Sequence, residues 1–330
     1  MLSKPLIDRY NRNLNYLRIS ITDRCNLKCI YCMPRKLIPM LPHKDILRYE
    51  EILRIVKIGV RLGISKVRVT GGEPLIRKGV FGFLEQLSII DGLSDISLTT
   101  NGVLLKDSIN RIKSSGVNRI NISVDTLNKE KFYKITGYDY FDQIWEGIEQ
   151  AEKMNFNPIK LNVVPLKGIN DDELIEIARL SFTYPFHIRF IEYMPIGANQ
   201  INADRHLLAP EIKKRIEPLG RLIPVVKSAH DGPAERFKFE GALGEIGFIQ
   251  PISRHFCHAC NRLRLSASGQ LRPCLLSEYQ EDLKSLLRKG CLDNELANAF
   301  FEAVRKKPSE HNLSTDHPPK VLSQMCVIGG

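Results

Sequence analysis

Apolar and polar residues alternate over 14–21, the period-two pattern of a half-buried strand. The period lengthens over 49–62, where Ile52, Ile55, Val56 and Val60 share one helical face and Gly63 marks the stop. A short strand at 66–69 follows, running into Thr70-Gly71-Gly72-Glu73-Pro74. Next come a helix over 80–88, a strand over 96–99 and a turn at Thr100-Asn101-Gly102. A helix over 106–115 then leads to a strand over 119–124. The segment 141–154 is amphipathic, and 159–164 is the fifth strand. Asn170 with Glu173 reads as a capping box for a helix to about residue 180, and 186–192 is the sixth strand.

Six strand–helix alternations with short connections predict a parallel sheet. A doubly wound dinucleotide fold needs G-x-G-x-x-G at its first strand–helix turn, and three cysteines stand there instead. Polar and Gly-rich residues follow several successive strands, as a barrel with its site at the C-terminal face requires. The expected fold is therefore α/β, an incomplete TIM-like (β/α)6 barrel. From about residue 207 the alternation stops. A short helix at 211–217, a polar connection at 228–235, short β pieces from 237 and late helices near 281–288 and 294–306 predict a smaller α+β domain. The expected division is 1–229 and 230–330.

The 330 residues, 43% hydrophobic, can bury a large core. No apolar run is long enough for a membrane span, and the first ten residues lack the apolar core of a signal peptide. A cytoplasmic protein is expected, with no membrane partner. The net charge of +11 suits either a nucleic acid or a small, multiply charged anion. There is no basic low-complexity tail and no basic stripe interleaved with aromatics, yet charge alone does not decide between the two.

Six of the eight cysteines fall into two sets. Cys291 and Cys326 stand alone and read as buried or indifferent thiols. Cys25, Cys29 and Cys32 form C-x3-C-x2-C, three thiolates on one loop with no fourth cysteine nearby. They can hold three corners of a [4Fe–4S] cube and leave one iron open to another ligand. Structural zinc prefers a closed set of four, usually in paired knuckles, which this loop lacks. Cys257, Cys260 and Cys274 make C-x2-C-x13-C across a predicted hairpin of 262–265 and 270–273, turning at Ser268-Gly269. On spacing alone, a zinc ribbon completed by His255 or His258 fits that set nearly as well. Arg262 and Arg264 alternate on the first strand of that hairpin, so both face one way and suit an oligophosphate.

The first run, with Ile30-Tyr31 ahead of its last cysteine, resembles the radical S-adenosylmethionine enzymes. The resemblance implies that Cys25, Cys29 and Cys32 hold a [4Fe–4S] cluster whose fourth iron is chelated by S-adenosylmethionine. One electron then cleaves the sulfonium to a 5′-deoxyadenosyl radical. Gly247-Phe248-Ile249, Pro251-Ile252-Ser253, His255-Phe256-Cys257, Cys260-Asn261-Arg262-Leu263-Arg264-Leu265, Leu271-Arg272-Pro273-Cys274 and the terminal Ile328-Gly329-Gly330 are similar to one branch, the GTP 3′,8-cyclases of molybdenum-cofactor biosynthesis. That branch implies a second [4Fe–4S] cluster on Cys257, Cys260 and Cys274. It also implies GTP contacts at Arg18, Arg68, Thr99, Lys160, Arg262 and Arg264. S-adenosylmethionine contacts are implied at Tyr31, Gly72, Ser123 and Met194, and Gly329 and Gly330 are expected to enter the active site. Implied partners are a low-potential flavodoxin- or ferredoxin-like donor and a cyclic pyranopterin monophosphate synthase that takes the product. A homodimer is compatible with all of this. Rival readings are a peptide-modifying relative with an auxiliary cluster, and a non-catalytic zinc-ribbon nucleic-acid binder.

Overall fold

The computed structural model describes residues 5–32, 40–196, 201–226, 232–311 and 325–328. Six parallel strands, β1 (Tyr16–Ser20), β2 (Lys66–Thr70), β3 (Asp95–Thr100), β4 (Arg119–Ser123), β5 (Ile159–Val163) and β6 (His187–Ile191), lie side by side in chain order. A doubly wound sheet reverses direction after its first strand; this one advances without reversal.

The connections carry α1 (Tyr49–Arg61), α2 (Val80–Ser88), α3 (Leu105–Ser114), α4 (Lys129–Thr136), α5 (Phe141–Lys153) and α6 (Leu174–Thr183). After α7 (Ala209–Ile216) come β7 (Leu222–Pro224), β8 (Glu235–Phe239) and β9 (Glu245–Ile249), then β10 (Arg262–Leu265), β11 (Gln270–Arg272) and β12 (Glu281–Asp282). The chain finishes with α8 (Leu283–Arg288), α9 (Asp293–Arg305) and α10 (Met325–Ile328).

The strands after residue 230 do not make a sheet of their own. β9 joins β6 and β10 joins β1, both in parallel, so the late strands extend both edges of one twelve-stranded sheet. Among the described residues its outer strands, β7 and β12, do not pair with each other.

The sheet's two faces differ in chemistry. Leu17, Ile19, Val67, Val69, Ile96, Leu98, Ile120, Ile122, Leu161, Ile188, Phe190, Phe248, Leu263 and Leu265 are buried in one continuous core with the helices. The alternate positions are polar. In register across four adjacent strands stand Arg264, Arg18, Arg68 and Ser97; further along stand Thr99, Asn121, Lys160 and His187. Parallel strands with both faces packed by helices read as continuous apolar runs. Here the alternation marks a second face built for something polar.

Two local expectations differ from the structure. Asn170 and Glu173 do not form a capping box. Asn170 instead donates to the Asp125 and Val164 carbonyls and accepts from Leu166 N–H, while Glu173 accepts from Thr126 Oγ1 and Leu127 N–H. Both residues tie the loop after β4 to the loop after β5. The second difference is α4, which the hydrophobic pattern did not single out. Its signals are short: Asn128 caps Lys131 N–H, Phe132 and Ile135 make one apolar face, and Gly137 closes the helix at φ 80°. Among the described residues, no helix is long and apolar enough to cross a membrane.

Candidate active site

The first cysteine loop sits just beyond β1 and is held from three sides. Lys28 N–H and Ile30 N–H donate to the Thr136 and Ile135 carbonyls, so the end of α4 clamps the middle of the loop. From the turn after β3, Asn101 Nδ2 approaches Cys25 Sγ at 3.6 Å and Asn26 Oδ1 at 2.8 Å. From the loop after β2, Gly72 N–H donates to the Thr22 carbonyl and Glu73 N–H to the Arg24 carbonyl. A Cβ on Gly72 would stand 2.3 Å from the Arg24 oxygen. The close approach this glycine permits is therefore, first of all, to the chain leading into Cys25.

Glu73 is fully buried. It accepts from Leu75 N–H, Thr100 Oγ1 and Asn101 N–H, and burial outweighs these donors to push its carboxyl up to about 7. Cys25, Cys29 and Cys32 form no disulfide and are half-buried. Burial raises Cys29 well above the usual thiol range, and proximity to Cys32, Asp125 and Cys25 raises it further. The three sulfurs thus stand close enough to disfavour one another's charge, a costly grouping for bare thiolates and a suitable one for a metal–sulfur group. Tyr31 donates to Asp125 Oδ2 at 2.5 Å, and Asp125 Oδ1 accepts from Val164 N–H. Burial pushes Asp125 up to about 6.

The second cysteine set lies beyond the polar face. Cys257 starts a single helical turn, Cys260 precedes β10 and Cys274 follows β11; all three are free and half-buried. The antiparallel pairing of Arg264 with Arg272 and Leu265 with Leu271 is the predicted hairpin, and it returns Cys274 towards the first two. His255 instead lies against His311, ring centroids 4.2 Å apart. Among the described residues, no group of three or more His, Cys, Asp or Glu is arranged to hold a single metal ion.

The cationic residues share the polar face of the sheet. Arg18 and Arg68 are half-buried; Lys160, Arg189 and Arg264 are buried. Arg264, Arg18 and Arg68 stand in register on adjacent strands, so like charges are neighbours across the sheet. Burial, then the neighbouring Arg264 and Arg68, drives Arg18 well below the usual arginine range. Arg264 is lowered to about 10 by burial and by Arg262, and Arg189 to about 9 by burial and by Arg68. Tyr16 takes Arg68 and Arg262 over its ring, each guanidinium 5.7 Å from the centroid. Thr99 Oγ1, Asn162 Oδ1 and Arg262 Nε are buried without a hydrogen-bond partner. Unspent polar atoms among crowded cations fit a bound anion.

Of the expected residues, Arg18, Arg68, Thr99, Lys160, Arg262 and Arg264 thus fall on one face. Ser123 ends β4 and is half-buried. Met194 follows β6 and packs with Ile196, Leu275, Leu276, Met325 and Ile328, an apolar cluster that docks α10 beside the segment after Cys274. Gly329 and Gly330 lie outside the described residues. Sequence reading missed Arg189, Asn101 and Asp125. Arg189 alternates with Ile188 and Phe190 on the sixth strand, and that period was the signal.

Comparison with known proteins shows the family. The family model described as Radical SAM superfamily matches residues 19–181, and the one described as Molybdenum Cofactor Synthesis C matches 186–313. Among solved structures, Streptococcus suis SuiB bound to S-adenosylmethionine superposes with TM-score 0.63 at 15% identity, covering 90% of this chain and 69% of that one. SuiB with its precursor peptide SuiA gives 0.64 at 14%, covering 90% and 68%. These likenesses speak for the fold. The Radical SAM family model, which takes in the first cysteine loop, makes this a radical S-adenosylmethionine protein. The chain is 49% identical to the GTP 3′,8-cyclase of Thermodesulfovibrio yellowstonii, covering 98% of this chain and 99% of that one. It is 47% identical to that of Moorella thermoacetica, with the same coverage. It belongs to the GTP 3′,8-cyclase family.

Proposed function

We infer that this chain is a radical S-adenosylmethionine enzyme that converts GTP to 3′,8-cyclo-7,8-dihydro-GTP, the first step of molybdenum-cofactor biosynthesis. The observation that carries the substrate is the buried cationic face running between two three-cysteine sites. The cofactors are S-adenosylmethionine and two [4Fe–4S] clusters, assigned to Cys25, Cys29 and Cys32 and to Cys257, Cys260 and Cys274. When bound, they supply one electron to the sulfonium, a 5′-deoxyadenosyl radical that takes the ribose 3′ hydrogen, and an open iron for the guanine base.

The chain's own part is binding, orientation and dryness. Arg262 and Arg264, with Arg18, Arg68 and Lys160 across the sheet, receive the triphosphate, and its negative charge relieves their mutual repulsion. Thr99 offers a hydroxyl to the nucleoside. Tyr31, fixed by Asp125, and Gly72, Ser123 and Met194 line the S-adenosylmethionine side. Gly329 and Gly330 are assigned to the catalytic set, and Ile328, the residue before them, is buried against Met194 and Leu275. Holding both reactants in one orientation supplies much of the rate.

In architecture, the sequential parallel order supports an incomplete (β/α)6 barrel over 1–229. The assignment of 230–330 as a domain carrying the second cluster rests on function, since its strands continue the barrel sheet. A flavodoxin- or ferredoxin-like donor, a cyclic pyranopterin monophosphate synthase as product acceptor, a homodimer and a cytoplasmic location complete the proposal. Anaerobic reconstitution followed by incubation with GTP, S-adenosylmethionine and reductant tests it. The expected outcome is deoxyadenosine and the cyclised nucleotide. Deoxyadenosine release that is indifferent to GTP but stimulated by peptides would favour a peptide-modifying enzyme.

A further inference from the structure

We propose that Lys307 is a positioning residue for the second cysteine site, clamping its two arms together and supplying the compensating positive charge. The inference rests on the reading of Cys257, Cys260 and Cys274 as one cluster site.

Lys307 follows α9 and is buried. Its Nζ lies 2.9 Å from the Arg262 carbonyl, 2.6 Å from the Pro273 carbonyl and 3.6 Å from Cys260 Sγ. Arg262 stands two residues after Cys260, and Pro273 immediately precedes Cys274. One ammonium therefore bridges both arms of the hairpin that carries the ligands. An ammonium has three donors, and this one has two carbonyls and a sulfur to receive them. Burying such a charge is costly unless an anion answers it. Among the described residues, no carboxylate pairs with Lys307. The anionic group within its reach is the Cys260 sulfur.

Arg12 makes a useful contrast. It donates to the Cys257 carbonyl at 2.7 Å, the Ser309 carbonyl at 3.0 Å and the Pro308 carbonyl at 2.6 Å, which locks the backbone beside Lys307 to the first ligand. Its charge, however, is answered at once by buried Asp8, 2.6 Å from Nε. Arg12 is a strut, whereas the charge of Lys307 is directed at the cluster site. Cluster potentials depend on net charge and on hydrogen bonds to the sulfurs, so this lysine raises the second cluster's potential and slows loss of its iron.

The test uses the full chain with Cys25, Cys29 and Cys32 changed to Ser, leaving the second site alone. After anaerobic reconstitution, iron content, iron loss to a chelator and the midpoint potential by EPR-monitored titration are compared for Lys307, Lys307→Gln, Lys307→Met and Lys307→Arg. The expected result is a lower midpoint and faster iron loss in the Gln and Met variants, with both largely restored in Arg. Gln keeps donors for the carbonyls, so it isolates the charge even if Met destabilises the hairpin. A Gln variant with the Lys307 midpoint and iron-loss rate would overturn the proposal. If the Lys307 chain itself binds no iron, the cluster assignment fails instead, and the two failures are told apart by that measurement.

Discussion

Arg262 and Arg264 bear most directly on substrate. Removing one charged donor from a buried anion site costs about 2 kcal/mol, roughly thirtyfold in affinity. Arg262→Ala or Arg264→Ala should therefore weaken equilibrium binding of GTP by that order while iron content stays unchanged. Unaltered affinity would remove these side chains from the site. Glu73 makes a pH prediction. Its carboxyl titrates near 7 when folded, above the usual glutamate value of 4.5, because burial favours the neutral form. The folded state thus holds the proton more tightly. The stabilisation is complete below about 4.5 and is lost as pH rises through about 7. The thermal midpoint of the cluster-free chain should fall from about pH 5 to about pH 8, and in Glu73→Gln the curve should be lower but flatter. An equal slope in the variant would show that Glu73 does not carry the effect. The residues on the polar face were legible because strand period two puts every second side chain together. Lys307 was not, since its neighbours Cys260 and Pro273 are dozens of residues away in the chain.

Among the elements, the Gly71-Gly72 turn is the joint on which the first cysteine loop bears. Gly72→Ala would set a Cβ against the Arg24 backbone, and backbone cannot swing aside as a side-chain tip can. The entry to Cys25 must move, at a cost of about 1–3 kcal/mol. Reconstituted Gly72→Ala should lose about half its iron, that of the first site, and make little deoxyadenosine; full iron content with normal deoxyadenosine yield would contradict that joint. Strands β1 to β6 and the long helices were readable from periodicity, whereas three-residue β7 was not, and β12 was read as the start of a helix. Helix α4 was not, because eight residues with two buried apolar positions give a weak period, although Asn128 and Gly137 marked its ends. The Asn170/Glu173 pair carried the letters of a capping box, but tertiary partners at Asp125, Val164 and Thr126 claimed those side chains instead.

For the whole molecule, sequence showed where the strand–helix alternation stopped but not where the later strands went. Short pieces such as 245–249 and 262–265 carry no local sign that one joins the sixth strand and the other the first. Their placement widens the polar face at both edges and puts the second cysteine set beside the first strand, with Arg264 in register with Arg18. The central claim is that GTP lies on this face with its ribose turned to the first cysteine loop. The most direct measurement incubates the reconstituted enzyme with S-adenosylmethionine, reductant and GTP deuterated at C3′, and follows the label in deoxyadenosine by mass spectrometry. The account predicts one deuterium transferred for each nucleotide cyclised. Deoxyadenosine formed in step with product but free of deuterium would contradict it.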